Sequence, residues 1–391
     1  MDQREKKLYN TAIVLDPTGT ERGRRDKSFL WGRDNDWFTP GDVIEPVTTD
    51  LGKLGIVICA DGRAPEIATG LVAQGAGVLV VPTCWVNVAG QPGQYANAQA
   101  QFMIAARAAE CGVPVVAANK YGRETDELGY CGWSIICDPT GRELARAAPD
   151  HEALITAEIQ AESAPPPVDV PRWAVRRIFS NDPPVLPDDD PANGEVGIAI
   201  APGCMVAALA GEDHRGLRDL VAQGVGILGT CAVDEESAAR FELYGRSMGL
   251  CVINYPYVER LMIERFGSFG CIAGEHARSF VPARVMALDG ASIIFVVGGS
   301  ADRSLLRTRA AENRVFVAAC FERSAMLIDP AGQVIDECSQ AKPQVVSAQV
   351  DLNQAACKKV FSMTDIWAQR RPDAYARAFG ITRTFHPATT D

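Results

Sequence analysis

One pattern occurs twice in this chain, and that repetition limits the fold more than any other feature of its 391 residues. Arg107-Ala108-Ala109-Glu110, followed by the apolar run Val113-Pro114-Val115-Val116-Ala117-Ala118, matches Arg309-Ala310-Ala311-Glu312 followed by Val315-Phe316-Val317-Ala318-Ala319. Asp138-Pro139-Thr140-Gly141 matches Asp329-Pro330-Ala331-Gly332, and Gly75-Ala76 matches Gly290-Ala291. The separation between matched segments shrinks along the chain, so the second copy has the shorter loops. A period this long is foreign to solenoids and implies one fold built twice. The length alone exceeds one ordinary core and leads to the same expectation of two domains.

Within each copy, short apolar strands alternate with helices, the pattern of an α/β sheet. Residues 10–15 read as a strand closed by Asp16-Pro17-Thr18-Gly19. Residues 65–74 and 98–111 read as helices, and 77–82, 113–119, 132–138 and 154–159 as strands. The second unit opens with a strand at 196–201, a helix at 213–223 and a strand at 225–229. Between the copies, Pro165-Pro166-Pro167, Pro183-Pro184 and the acidic triplet Asp188-Asp189-Asp190 have linker composition. The expected boundaries are a first domain at 1–180, a linker at 181–194 and a second domain at 195–391.

Net charge is −11 and the pI about 5.0, which argues against nucleic acid or an anionic membrane surface as partner. No apolar run reaches the roughly 18 residues that span a bilayer. The 12 cysteines lack the dense spacing of a secreted scaffold, and the first ten residues do not form a signal peptide. A reducing cytoplasm is the expected setting. There is no C-x-x-C pair, and His151, His214, His276 and His386 are scattered, so neither a metal nor a cofactor is expected.

The chemistry is expected at Leu54-Gly55-Ile56-Val57-Ile58-Cys59-Ala60-Asp61-Gly62, where an apolar strand ends on a thiol. The first free N–H groups of a following helix favour a thiolate there and can receive an oxyanion. The competing reading is a buried structural cysteine. The repeat weighs against it. Gly274, in Cys271-Ile272-Ala273-Gly274-Glu275-His276, falls where Cys59 stands in the first copy, so the fold persists without the thiol. Cys271 lies within the strand and reads as core.

With these motifs in this order the chain resembles the carbon–nitrogen hydrolase (nitrilase) superfamily over nearly its whole length, twice. The residues that carry the resemblance are Leu8-Tyr9-Asn10-Thr11-Ala12, Asp16-Pro17-Thr18-Gly19, Trp37-Phe38-Thr39-Pro40-Gly41-Asp42, Ile58-Cys59-Ala60-Asp61 with Pro65-Glu66, Arg107-Ala108-Ala109-Glu110, and Gly132-Trp133-Ser134. The resemblance implies an α-β-β-α sandwich in each of two tandem domains, four-layered where sandwiches pair. It also implies a Glu–Lys–Cys triad that cleaves amides, carbamoyl groups or nitriles. On this reading Cys59 is the nucleophile, and Lys27 stabilises the thiolate and the oxyanion with help from the Ala60 N–H. Asp34 sits where many relatives carry an additional glutamate near substrate, with a solvated loop acid as its other reading. Trp85 and Asn119 are expected to line the pocket, and Glu66 is read as a structural acid at a helix start.

Two features refine the resemblance. Phe29 replaces the family's usual histidine, and Ala60-Asp61-Gly62 is closer to amidase-type members than to true nitrilases. The family's general-base glutamate lies upstream of Leu8-Tyr9-Asn10, in a segment these 391 residues lack, so the first copy is read as the product of a truncated frame. The second copy carries that region but places Cys231 where the glutamate belongs, and its lysine segment is deleted. The sequence therefore leads to a hydrolase acting on a linear amide or carbamoyl compound through a cysteine thioester, with a small-molecule substrate. A homo-oligomer is also expected, in which the second domain mimics a dimer partner. The rival is a catalytically inactive scaffold, its base absent. A Cys–His peptidase is disfavoured, since no histidine lies near Cys59.

Overall fold

The computed structural model describes residues 1–381 apart from 89–93, 127, 161–169, 186–194, 202–208, 210–214, 231–242, 246, 249–250, 255–258, 264–266 and 340–343. It divides into two compact units, one built from Met1–Asp182 together with the segment from Lys359 onward, the other from Pro183–Lys358. Among the described residues, no helix is long and apolar enough to cross a membrane.

The first unit is organised by a six-stranded sheet. Its strand order is Glu143–Arg146, Ile135–Cys137, Val115–Asn119, Val78–Thr83, Gly52–Ile56, Val47–Thr49. The three middle strands of the crossover run parallel, and the flanking strands pair antiparallel. Helices Pro65–Ala73 and Ile104–Cys111 connect the parallel strands, as crossover connections must. The expected helix at 98–111 opens instead with a π turn, Gln99–Met103. Alternation puts Leu79, Val81, Val115 and Ala117 on one face, where all four are buried. The opposite face carries Ile56, Val80, Pro82, Val116 and Ala118. The hairpin Thr11–Leu15 and Glu21–Asp26 lays Ala12 and Val14 over Ile56 and Ile58 at one end of that face.

The second unit holds a four-stranded and a six-stranded sheet. The larger runs Glu259–Ile263, Gly267–Ala273, Ala291–Val297, Phe316–Cys320, Ala325–Ile328, Val334–Cys338. Its strand order and senses repeat those of the first unit's sheet, antiparallel pairs flanking two parallel ones. The smaller sheet orders Cys251–Asn254, Val225–Thr230, Glu195–Ala201, Val346–Asp351. Val196, Ile198, Ile200 and Ile227 from it share one core with Phe269, Phe295, Val297 and Phe316 from the larger sheet. Two apolar faces thereby bury each other, which is the condition for a sandwich.

Three expectations change. Residues 154–159 form no strand, and Leu154 is exposed. The matching segment of the second unit, Val346–Asp351, is a strand because it pairs with Glu195–Ala201, and the described part of the first unit offers no such partner. The stretch with linker composition contains a helix, Arg172–Phe179, immediately before the expected linker at 181–194. The expected second domain at 195–391 ends earlier, because the chain from Lys359 packs back on the first unit. Gly70 makes this docking close: a Cβ there would stand 2.8 Å from the Cβ of Ala378 in helix Pro372–Ala378. The Phe379 and Phe179 rings meet beside it at 5.2 Å. Cys231 lies outside the described residues.

Candidate active site

Three adjacent parallel strands of the first unit end at one edge, and the residues just beyond their ends build the site. The strand Gly52–Ile56 leads through Val57 and Ile58 to Cys59; Val78–Thr83 leads to Cys84 and Trp85; Val115–Asn119 ends on Asn119. Such an edge, at the carboxyl ends of parallel strands, is where α/β sheets gather ligands.

Cys59 opens the 3-10 turn Cys59–Arg63 with φ +47°, a left-handed backbone that a residue with a Cβ rarely adopts. The turn is held in that form from two sides. Asp61, fully buried, accepts from Ile58 N (3.1 Å), Ser28 N (3.0 Å) and Phe29 N (2.7 Å), and pairs with buried Arg25 at 2.6 Å. Gln99, with its amide turned to satisfy both atoms, donates to the Cys59 carbonyl (2.9 Å) and accepts from Trp85 Nε1 (3.1 Å). Asp61 therefore ties the Lys27 segment to the Cys59 turn through one carboxylate.

Lys27 is buried, and its Nζ donates to Asp34 Oδ2 at 2.5 Å. Burial works against its charge, but attraction to Cys59 and then to the Asp34 carboxylate outweighs it, and the ammonium pKa is held above its ordinary value. Lys27 thus stays protonated at neutral pH between a carboxylate and a thiol. Asp34 begins the short helix Asp34–Trp37 and keeps part of its side chain open to solvent.

The structure brings Cys59, Lys27 and Asp34 together, with Ala60 buried as the next residue of the same turn. Trp85 and Asn119 stand at the same edge, where Asn119 lines a cavity with Gly132, Trp133 and Ser134. Trp85 is 1% exposed, its indole spent on Gln99 behind the turn. The Asn119 amide accepts from Trp85 N (2.7 Å) and donates to the Gly132 carbonyl, so it braces two loops. Phe29 is core, and Glu66 is buried in the first turn of its helix. The Arg25–Asp61 pair was not singled out from sequence; its signal was an acid two residues after the thiol and an arginine two before the lysine. Burial pushes the Cys131 and Cys137 thiols up to about 12.

In the second unit the same turn, Gly274–Arg278, carries no thiol and has no room for one. A Cβ on Gly274 would lie 2.2 Å from the Gly298 carbonyl oxygen. The scaffold around it is kept. Arg309 Nε donates to the Ala277 carbonyl (2.9 Å) and Nη1 pairs with Glu312, as Arg107 Nε donates to Gly62 O (3.2 Å) and Nη1 pairs with Glu110. Cys271 is core, with burial pushing its thiol up to about 12.

Comparison with known proteins gives consistent matches. The family model described as carbon-nitrogen hydrolase matches residues 1–165 and 266–358. A probable nitrilase of Schizosaccharomyces pombe is 31% identical over 159 residues, 41% of this chain and 56% of the relative. An N-carbamoylputrescine amidase of Solanum tuberosum is 30% identical over 166 residues, 39% and 55% of the two chains. A deaminated glutathione amidase of Bos taurus is 30% identical over 156 residues, 37% and 46%. A solved carbon-nitrogen hydrolase from Helicobacter pylori G27 is 28% identical, covering 41% of this chain and 60% of that one, with a TM-score of 0.39. The chain spans about half the length of the curated relatives it matches.

Proposed function

The chain belongs to the carbon–nitrogen hydrolase family, and from that premise we propose that it hydrolyses a linear amide or carbamoyl compound, with Cys59 as nucleophile. The observation that carries this reading is Lys27, a buried ammonium held at 2.5 Å from a carboxylate beside a thiol on a strained turn. Cys59 Sγ attacks the substrate carbonyl carbon, and the negative charge that develops on oxygen falls beside the Lys27 ammonium and the Ala60 N–H. Collapse of the tetrahedral species breaks the carbon–nitrogen bond and leaves a thioester, the departing nitrogen taking the proton that the thiol gave up on attack. Water then adds to the thioester, gives up its proton and releases the acid and the thiol.

Proton movement in both halves requires a base, and Asp34 is the carboxylate in contact with Lys27. We assign it that work, as the group that takes the proton from water while Lys27 holds the oxyanion. The relatives named as amidases support amide substrates over nitriles. The shared strand order of the two larger sheets supports reading the units as two copies of one fold, the first chemical and the second disarmed at Gly274.

Incubation of the full chain with short aliphatic amides and carbamoyl compounds, followed by mass spectrometry, should reveal turnover or an acyl adduct on the Cys59 peptide. Cys59→Ala should abolish both, while Cys271→Ala leaves them. If no amide or carbamoyl compound gives either signal, the hydrolase reading fails and the inactive-scaffold reading replaces it.

A further inference from the structure

Resting on the roles given above to Lys27, Asp34 and Cys59, we propose that Thr364 and Gln369 are positioning residues. The hairpin and turn that come after Lys358 fix the loop carrying Asp34, and so set the Lys27–Asp34 pair against the thiol.

The loop from Leu30 to Trp37 has little to hold itself. Its one regular element, Asp34–Trp37, is four residues long, has no side-chain cap and buries nothing. A single helical turn does not persist alone in water, because its nucleation cost exceeds the few hydrogen bonds it makes. The missing partners come from more than 300 residues downstream. Gly32 N donates to Thr364 Oγ1 at 2.7 Å, and Thr364 is fully buried. Asn35 Nδ2 donates to the Gly32 carbonyl (2.8 Å) and to the Met363 carbonyl (3.0 Å). Gln369 Nε2 donates to the Leu30 carbonyl (3.1 Å) and to Asn35 Oδ1 (2.7 Å).

The downstream segment is itself organised for this contact. Lys359–Phe361 and Thr364–Asp365 pair as a hairpin whose turn residue Met363 has φ +59°, a strained conformation that aims its carbonyl at Asn35. Asp365 then accepts from Trp367 N (2.8 Å) and Ala368 N (2.9 Å), which fixes the turn leading into Gln369. A second contact reaches the nucleophile side. Trp31 is stacked on Phe361 at 5.1 Å with 18° between the rings, and the Arg63 guanidinium lies 4.8 Å from the Trp31 ring. Arg63 ends the turn that Cys59 begins. One hairpin therefore touches the carboxylate loop directly and the nucleophile turn through Trp31. Displacing a catalytic group by about 1 Å costs on the order of a hundredfold in rate, so this tether bears on chemistry as well as on folding.

The test uses the full chain with Thr364→Val, Gln369→Ala, the rescue variant Thr364→Ser, and Lys27→Met as reference. Iodoacetamide alkylation of Cys59, read on its peptide by mass spectrometry at neutral pH, reports the thiol without needing turnover. Lys27→Met should slow it by about tenfold, and Thr364→Val and Gln369→Ala by at least about threefold, since loss of a fixed opposite charge disfavours the thiolate. Thr364→Ser should restore the rate. With a short aliphatic amide, kcat should fall by roughly tenfold in Thr364→Val and Gln369→Ala while KM stays within about twofold, the mark of lost positioning. If Lys27→Met slows alkylation and the two downstream variants match the unaltered protein in both assays, the tether is wrong and the catalytic roles stand. If Lys27→Met alkylates at the unaltered rate, the catalytic roles fail and this inference falls with them. Gln369 is only half-buried, so its variant stays informative even where Thr364→Val folds poorly.

Discussion

A single carboxylate joins the two halves of the site. Asp61 lies two residues beyond the thiol, and its two oxygens hold Arg25 and three backbone N–H groups, two of them from Ser28 and Phe29 just after Lys27. Both charges of the Arg25–Asp61 pair are out of water, so removing one strands the other at a cost of about 3–5 kcal/mol. Asp61→Asn should therefore lower stability by that order in urea unfolding. Arg24→Ala, which removes a solvent-exposed partner of Glu21 and Asp2, should leave the urea midpoint nearly unchanged. The thiol and the lysine were legible in the sequence because a strand-end cysteine and a basic run stand in a recognisable order. Asp61 was legible as a motif letter and not as a brace, since the groups it binds are set by folding. Trp85 and Asn119 were placed at the correct edge, but which way a strand-end side chain turns depends on neighbours such as Gln99 and Gly132.

At the scale of elements, the same kind of sequence has two outcomes. Residues 154–159 and the strand Val346–Asp351 occupy matching places after matching D-P-x-G turns, and only the second is paired. A strand is a relation between segments, so an apolar-polar alternation becomes one only where a ladder partner exists. Hydrogen exchange should read this directly: backbone amides of Val346–Asp351 that face Glu195–Ala201 should be protected, while those of 154–159 exchange at nearly the rate of an open chain. Equal protection in the two segments would contradict the pairing described. The helix Arg172–Phe179 escaped detection for the opposite reason: flanking prolines dominate the composition, yet the residues between them suit a helix once they can pack.

Across the whole molecule, the two larger sheets share their order but not their surroundings. On matching faces, Phe295, Val297, Ala318 and Cys320 are sealed in the second unit, whereas Val80, Pro82 and Val116 are half-buried and Ala118 is exposed in the first. Cys320→Asp should unfold the second unit or cost it several kcal/mol, because an unpaired carboxylate would enter a dry core. Ala118→Asp should change stability by about 1 kcal/mol or less, within the usual range for surface substitutions. Urea unfolding monitored on both variants checks the contrast. The first unit is also discontinuous: Met1–Asp182 is completed by the segment that starts at Lys359, with the whole second unit between them in sequence. Synthesis proceeds from the amino end, so Lys27, Asp34 and Cys59 leave the ribosome together and ahead of the second unit. Thr364 and Gln369 leave it only after the whole second unit has been made. On the tether proposed above, the nascent chain carries the Asp34 loop without its downstream partners until the second unit has been made, and a product that stalls or is cut before Lys359 keeps the brace of Asp61 and Gln99 on Cys59 but lacks the contacts from Thr364 and Gln369.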